Sequence, residues 1–128
     1  MEFLINLFFI AFFLNLFYEL VHSVLYTTCL TAPLKRYVYL ILKASLFDGV
    51  VICLIYFFGY LLFPSYYIVF YITASLLFAY FWEVYSLKAG KWDYAKTMPI
   101  ILGVGITPLM QLSVTGYISI CILKYFFV

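Results

Sequence analysis

Long apolar runs alternate along the chain with short polar breaks. Apolar residues dominate from Phe3 to Cys29, from Tyr37 to Phe63, from Tyr66 to Leu87 and, after Thr97, to Tyr125. A membrane-spanning helix requires roughly 20 such residues. The breaks carry stop signals: Thr31-Ala32-Pro33 followed by Lys35 and Arg36, then Pro64-Ser65, then the polar stretch from Lys88 to Lys96. The strands of a membrane barrel would alternate between polar and apolar with a period of two, whereas these runs are continuous. The pattern therefore predicts helices over about residues 3–29, 37–63, 66–87 and 97–125, within a single domain covering 1–128. The expected fold class is all-α, a polytopic transmembrane four-helix bundle. Thr97 is placed to cap the fourth helix with Pro99 in its first turn. Pro108 falls inside that helix and predicts a kink. The segment Gly103-Val104-Gly105-Ile106-Thr107-Pro108 reads as close helix packing plus that kink; its functional alternative is a broken helix lining a cavity.

Composition strengthens the membrane reading. The chain has 128 residues, is 69% hydrophobic and 9% charged, and has a mean hydropathy of +1.17. Soluble domains are about half apolar and a quarter charged, and a domain this small leaves much of its surface in water. Lipid as solvent removes the conflict, provided the backbone is paired within each segment as a helix pairs it. The first charged residue is Glu2 and the first apolar run exceeds the length of a signal-peptide core, so that run is expected to be a span. The net charge of +2 is dispersed, which excludes the basic footprint of a nucleic-acid binder and a polybasic lipid-reading cluster. Cys29, Cys53 and Cys121 lie in apolar runs without metal-like spacing and read as small packing residues. Lys35, Arg36, Lys88, Lys91 and Lys96 fall in the first and third breaks, leaving Lys124 for the other side. The positive-inside rule then places loops 30–36 and 88–96 in the cytoplasm and both termini opposite, in a plasma or inner membrane. Trp92 and Tyr94 suit the headgroup belt.

Three acids, Glu19, Asp48 and Glu83, interrupt the apolar runs. A charge at mid-bilayer costs about 2.5–3.5 kcal/mol or more, so such residues are expected to face the bundle interior and find partners there. A rise of about 1.5 Å per residue puts Glu19 and Asp48 at similar depth. His22 and Glu83 lie nearer the loop end and are expected to meet. Asn15, Glu19, His22 and Tyr26 form one helical stripe; Thr107, Gln111 and Thr115 repeat every four residues; Ser45 and Asp48, and Ser75, Glu83 and Ser86, add further polar positions. Glu19, His22, Asp48 and Glu83 are the candidate proton-handling cluster, because carboxyl groups beside a histidine can pass protons or act as general acid and base. Asn15, Tyr26, Thr107 and Gln111 are the candidate substrate contacts. The plain alternative is helix-to-helix hydrogen bonding, at about 0.6–2 kcal/mol per bond with no chemistry attached. Glu19-x-x-His22 has the spacing found in carboxylate-bridged di-iron bundles, but those need two such pairs and two further Glu. With one His in the chain no metal is assigned, haem has a single candidate axial ligand, and the cofactor is left open.

Phe17-Tyr18-Glu19-Leu20 and Phe81-Trp82-Glu83-Val84 share a pattern that two related hairpins would produce, and that so aromatic a chain also produces by chance. The stretch Glu83-x6-Gly90-x-Trp92-x-Tyr94 resembles segments of membrane carotenoid cyclases, in which a membrane Glu is followed by a Gly and interfacial aromatics. Those families also carry a paired-acid Pro-Glu-Glu motif, which is absent here, so the resemblance implies no activity for this chain. Three functions fit the residues. The first is a proton-coupled transporter or carrier, expected as a homo-oligomer because four short spans enclose little volume. The second is a membrane-embedded enzyme on a lipid or isoprenoid substrate, with Glu83 and His22 as acid and base. The third is a non-catalytic subunit of a larger membrane complex. Membrane lipids are the common partner in all three.

Overall fold

The computed structural model describes residues 1–127, and they form an all-α architecture. Helix α1 covers Glu2–His22, a single 3₁₀ turn covers Ser23–Leu25, and a short helix α2 covers Thr27–Leu30. The long helices α3, α4 and α5 cover Leu34–Leu62, Tyr67–Lys88 and Ile106–Phe126. Before α5, strands β1 (Ile100–Ile101) and β2 (Val104–Gly105) form a two-stranded hairpin. The four long helices pack in a ring in which α1 touches α3 and α5, and α4 touches the other sides of both. All four are long and apolar enough to cross a membrane.

The ends follow from local chemistry. Pro33 precedes α3 and needs no amide partner there. Phe63, ahead of Pro64, leaves the helical region at φ −136°, as the proline ring requires of the residue before it. The first helix is shorter than the hydrophobic run predicts. Ser23 turns its hydroxyl back onto the Leu20 carbonyl at 2.9 Å, and Tyr26 is extended. Tyr26 forms an antiparallel bridge with Tyr94, flanked by bonds from the Thr27 amide to the Asp93 carbonyl (2.9 Å) and from the Ala95 amide to the Leu25 carbonyl (2.8 Å). A tertiary backbone pairing has won over helix propagation, and it clamps the post-α4 loop onto the end of α1.

The fourth helix also departs from expectation. It starts at Ile106, not Thr97, and Pro108 sits in its first turn, where a missing amide is tolerated, so the proline produces no kink. The residues ahead of it are the hairpin, whose two-residue turn has positive φ at both Leu102 (51°) and Gly103 (83°). This is the geometry that matches strand twist in a tight hairpin. Hydrophobicity alone cannot separate this hairpin from another turn of helix.

The bundle is inside-out. Phe9, Phe13, Phe17, Leu61 and Val69 are exposed, while Asn15, Ser45, Ser75 and Ser119 are fully buried. An apolar core of Leu7, Ala11, Ile52, Tyr56, Tyr71, Ile120 and Leu123 fills the half of the bundle nearest the α3–α4 turn. Polar residues occupy the half nearest the loops.

Candidate functional site

The polar half contains two linked clusters. The first centres on Gln111 of α5, whose amide nitrogen lies 3.0 Å from Asn15 Oδ1, 2.9 Å from Glu19 Oε1 and 2.9 Å from Asp48 Oδ2. An amide nitrogen carries two hydrogens, so these acceptors, drawn from α1 and α3, share an insufficient supply. Thr115 donates to Asn15 Oδ1 at 3.1 Å, and Asn15 donates to the Ala11 carbonyl at 2.8 Å. The other Glu19 oxygen, Oε2, meets His22 Nε2 at 3.0 Å, the one contact between a carboxyl group and a basic side chain at salt-bridge distance among the described residues. His22 Nδ1 lies 3.0 Å from Thr107 Oγ1, and the Tyr18 hydroxyl donates to the Thr107 carbonyl at 2.6 Å. Thr107, His22 and Glu19 thus form a hydrogen-bonded chain along one face of α1, made possible by the i, i+3 step from Glu19 to His22.

The second cluster centres on Glu83 of α4, which is 3% exposed. Its Oε1 accepts from the Tyr94 hydroxyl (2.6 Å), the Trp92 indole (2.9 Å) and the Tyr26 hydroxyl (3.3 Å). Its Oε2 accepts no hydrogen bond among the described residues. The clamp between residues 25–28 and 93–95 delivers all three donors. The Gly105 amide, at the start of α5, donates to the Tyr94 hydroxyl at 2.9 Å and fixes that ring in turn. Burial and the bond to Glu83 push the Tyr94 phenol well above its usual pKa, and burial and the Glu83 charge do the same for Tyr26. Both hydroxyls therefore keep their protons and act as donors.

Both clusters face a half-enclosed cavity of about 460 Å³ between α3, α4, α5 and the end of α1. Glu19, Asp48, Glu83, Gln111 and Tyr26 line it. One wall is aromatic: Trp82 stacks on Phe47 (centroids 4.8 Å apart) and lies parallel to Phe78 (6.1 Å, 8° between planes). Lys43 and Lys91 also line it, and neither pairs with a carboxylate; Lys91 Nζ lies 4.3 Å from the Trp82 centroid and 5.0 Å from that of Tyr85.

The structure thus brings Glu19, Asp48, Glu83, Tyr26 and Gln111 to one space. Asn15 and Thr107 stand behind it as partners of Gln111 and His22. The expected meeting of His22 with Glu83 does not occur: His22 is held by Glu19 and Thr107, and the Tyr26 ring stands edge-on to it at 5.4 Å while reaching Glu83 with its hydroxyl. Ser45 and Ser75 turn onto the Ile41 and Ile72 carbonyls of their own helices, and Ser86 Oγ is buried without a partner. The sequence did not reveal that Trp92 and Tyr94 donate to Glu83. The signal for them was positional: donor-bearing aromatics in the loop directly after a helix with a buried acid near its end. No group of three or more His, Cys, Asp and Glu side chains among the described residues has metal-holding geometry. The chain matches no protein family, no curated protein and no solved structure.

Proposed function

We propose that this chain is a four-span integral membrane protein that acts as a small proton-coupled carrier, with Glu19, Asp48 and Glu83 as the carboxyl groups at its binding cavity. The observation that carries the reading is the convergence of these acids, from α1, α3 and α4, on one cavity. Glu19 and Asp48 bond to each other and share the Gln111 amide, as helix glue does, whereas Glu83 lines the cavity with one oxygen that has no partner among the described residues. The inside-out arrangement supports the membrane setting, since the exposed helix faces are those a lipid tail would solvate. The basic residues gather at the end of the bundle that holds the 23–33 and 89–105 loops, which by the positive-inside rule supports a cytoplasmic position for that end and the opposite side for both termini. The Thr107–His22–Glu19 chain supplies a route along which a proton can reach the cavity.

The test uses proteoliposomes with an imposed pH gradient and an entrapped pH-sensitive dye, challenged with amphiphiles bearing cationic, neutral or anionic head groups. At least one class should dissipate the gradient, and Asp48→Asn should abolish the effect. If no class moves the dye signal while the protein stays helical by circular dichroism, the carrier reading fails. One observation favours a membrane-embedded enzyme as the second reading: the same acids face a wall of apolar rings, an environment suited to acid–base chemistry on a lipid or isoprenoid. Turnover of a lipid extract that is lost in Glu83→Gln would decide for it.

A further inference from the structure

We infer that the cavity receives an amphiphilic organic cation, an ammonium or phosphonium centre on an apolar body, and that Glu83 is the group that meets the charge. This rests on the cavity being a ligand site and adds the charge of its ligand.

The Glu83 side chain is 97% buried, its Oε1 is saturated by Tyr26, Trp92 and Tyr94, and its Oε2 lacks any partner among the described residues while the side chain lines the cavity. Three fixed donors orient the carboxyl group and leave one oxygen open toward the cavity. Asp48 differs: its Oδ2 takes the Gln111 amide and its carboxyl group is also bonded to Glu19. An acceptor oriented and left open as Glu83 Oε2 is can be met by a donor or a positive charge from whatever fills the space. The protein supplies neither from within, since no Lys or Arg lies within ion-pair distance of these acids.

The wall points the same way. Rings attract a cation over their faces, and Trp82 already seats the Lys91 ammonium at 4.3 Å. Around the remaining space Phe47 and Phe78 offer apolar ring surface for the body of the ligand. Lys43 is likewise turned onto a ring, that of Tyr39 at 5.8 Å, so both cavity-lining cations are engaged with aromatics and leave the carboxyl oxygens open. An anion entering this space would bring its charge against three acids. The volume of about 460 Å³ suits a small drug-sized molecule.

The chain's two tryptophans, Trp82 and Trp92, both line the cavity, so intrinsic fluorescence reports its occupancy. The full chain in neutral detergent is titrated with tetraphenylphosphonium and with tetraphenylborate, ions of nearly equal shape and opposite charge, each corrected for partition into empty micelles. The phosphonium should bind saturably and about tenfold or more tighter than the borate. Glu83→Gln should weaken the phosphonium by about tenfold and leave the borate unaffected or improved. Asp48→Asn serves the same purpose should Glu83→Gln fail to fold. Equal affinities, a preference for the borate, or a folded variant that binds the phosphonium as wild type does would each overturn the inference. Saturable phosphonium binding without any gradient dissipation keeps the cation receptor and removes the carrier. Dissipation by neutral or anionic amphiphiles without phosphonium binding keeps the carrier and removes the cation.

Discussion

Gln111→Leu is the sharpest probe of the interior. Leucine keeps the volume and removes the one donor shared by Asn15, Glu19 and Asp48. The acceptors do not suffer equally. Asn15 Oδ1 retains Thr115 at 3.1 Å, and Glu19 retains His22 on its other oxygen at 3.0 Å. Asp48 loses the Gln111 amide and keeps only its bond with Glu19. A buried group left without its hydrogen bond costs about 1–3 kcal/mol, more when charged, whereas a partnered interhelical bond in lipid averages about 0.6 kcal/mol. Three weakened acceptors, Asp48 the most, give an expected loss of about 1–3 kcal/mol. Unfolding by an anionic detergent titrated into mixed micelles, followed by helical circular dichroism, measures it. Adding Asp48→Leu removes the most weakened acceptor, so the double variant should recover about 1 kcal/mol relative to Gln111→Leu alone. A loss below about 1 kcal/mol for Gln111→Leu would refute the shared-donor reasoning, because surface-like tolerance is incompatible with one interior nitrogen serving three acceptors.

Three further predictions test the scaffold. Gly116→Ala would drive its methyl into the Tyr71 hydroxyl, which bonds the Leu112 carbonyl at 2.7 Å and ties α4 to α5; the same unfolding assay should show a loss of about 1–3 kcal/mol or more. Leu102→Gly should stabilise by roughly 0.5–1 kcal/mol, because Leu102 holds φ at 51° in the hairpin turn with its side chain 78% exposed, so little packing is lost. Stability should fall as pH rises past about 10, where unfolded tyrosines ionise but Tyr94, raised by burial and by its bond to Glu83, does not; the folded state then binds the extra proton and loses ground with each pH step. Tyr94→Phe should flatten that alkaline slope in an unfolding series from pH 8 to 11, and an unchanged slope would detach Tyr94 from Glu83.

Much of this arrangement was legible in the residues. Lipid-length apolar runs located the four long helices, because hydrophobic length is a coarse quantity that tertiary contacts do not alter. The cost of burying acids in apolar runs pointed to Glu19, Asp48 and Glu83 as interior groups. Helical spacing put Asn15, Glu19 and His22 on one stripe, and equal depth brought Glu19 and Asp48 to the same donor. The errors all lie at the loop end. There Ser23 and the Tyr26–Tyr94 bridge stop α1 early, and the hairpin at residues 100–105 replaces the first turns of the predicted fourth helix. In both places a long-range backbone pairing overrides a local pattern that reads equally well as helix. The partners of Glu83 were missed for the same reason, since Tyr26 and Tyr94 are brought together by that bridge and by nothing in their spacing.

The division between scaffold and site can be drawn by asking where each buried polar group spends its bonding capacity. Ser45, Ser75, Ser113 and Ser119 close onto carbonyls of their own helices and ask nothing of a neighbour. Asn15 and Thr115 spend theirs across the α1–α5 contact, which is what helix-to-helix glue does. The carboxyl groups follow neither rule. Gln111 is oversubscribed by acceptors, while Glu83 concentrates every donor on one oxygen and leaves the other open. A network serving stability alone gains by spreading its donors over its acceptors, because an unmet acceptor costs more than a second bond to a satisfied oxygen returns. The distribution at Glu83 is the reverse, and its unmet oxygen belongs to a residue that lines the cavity. That asymmetry separates Glu83 from the glue around it and supports the proposal that a ligand is met on the cavity side of Glu83.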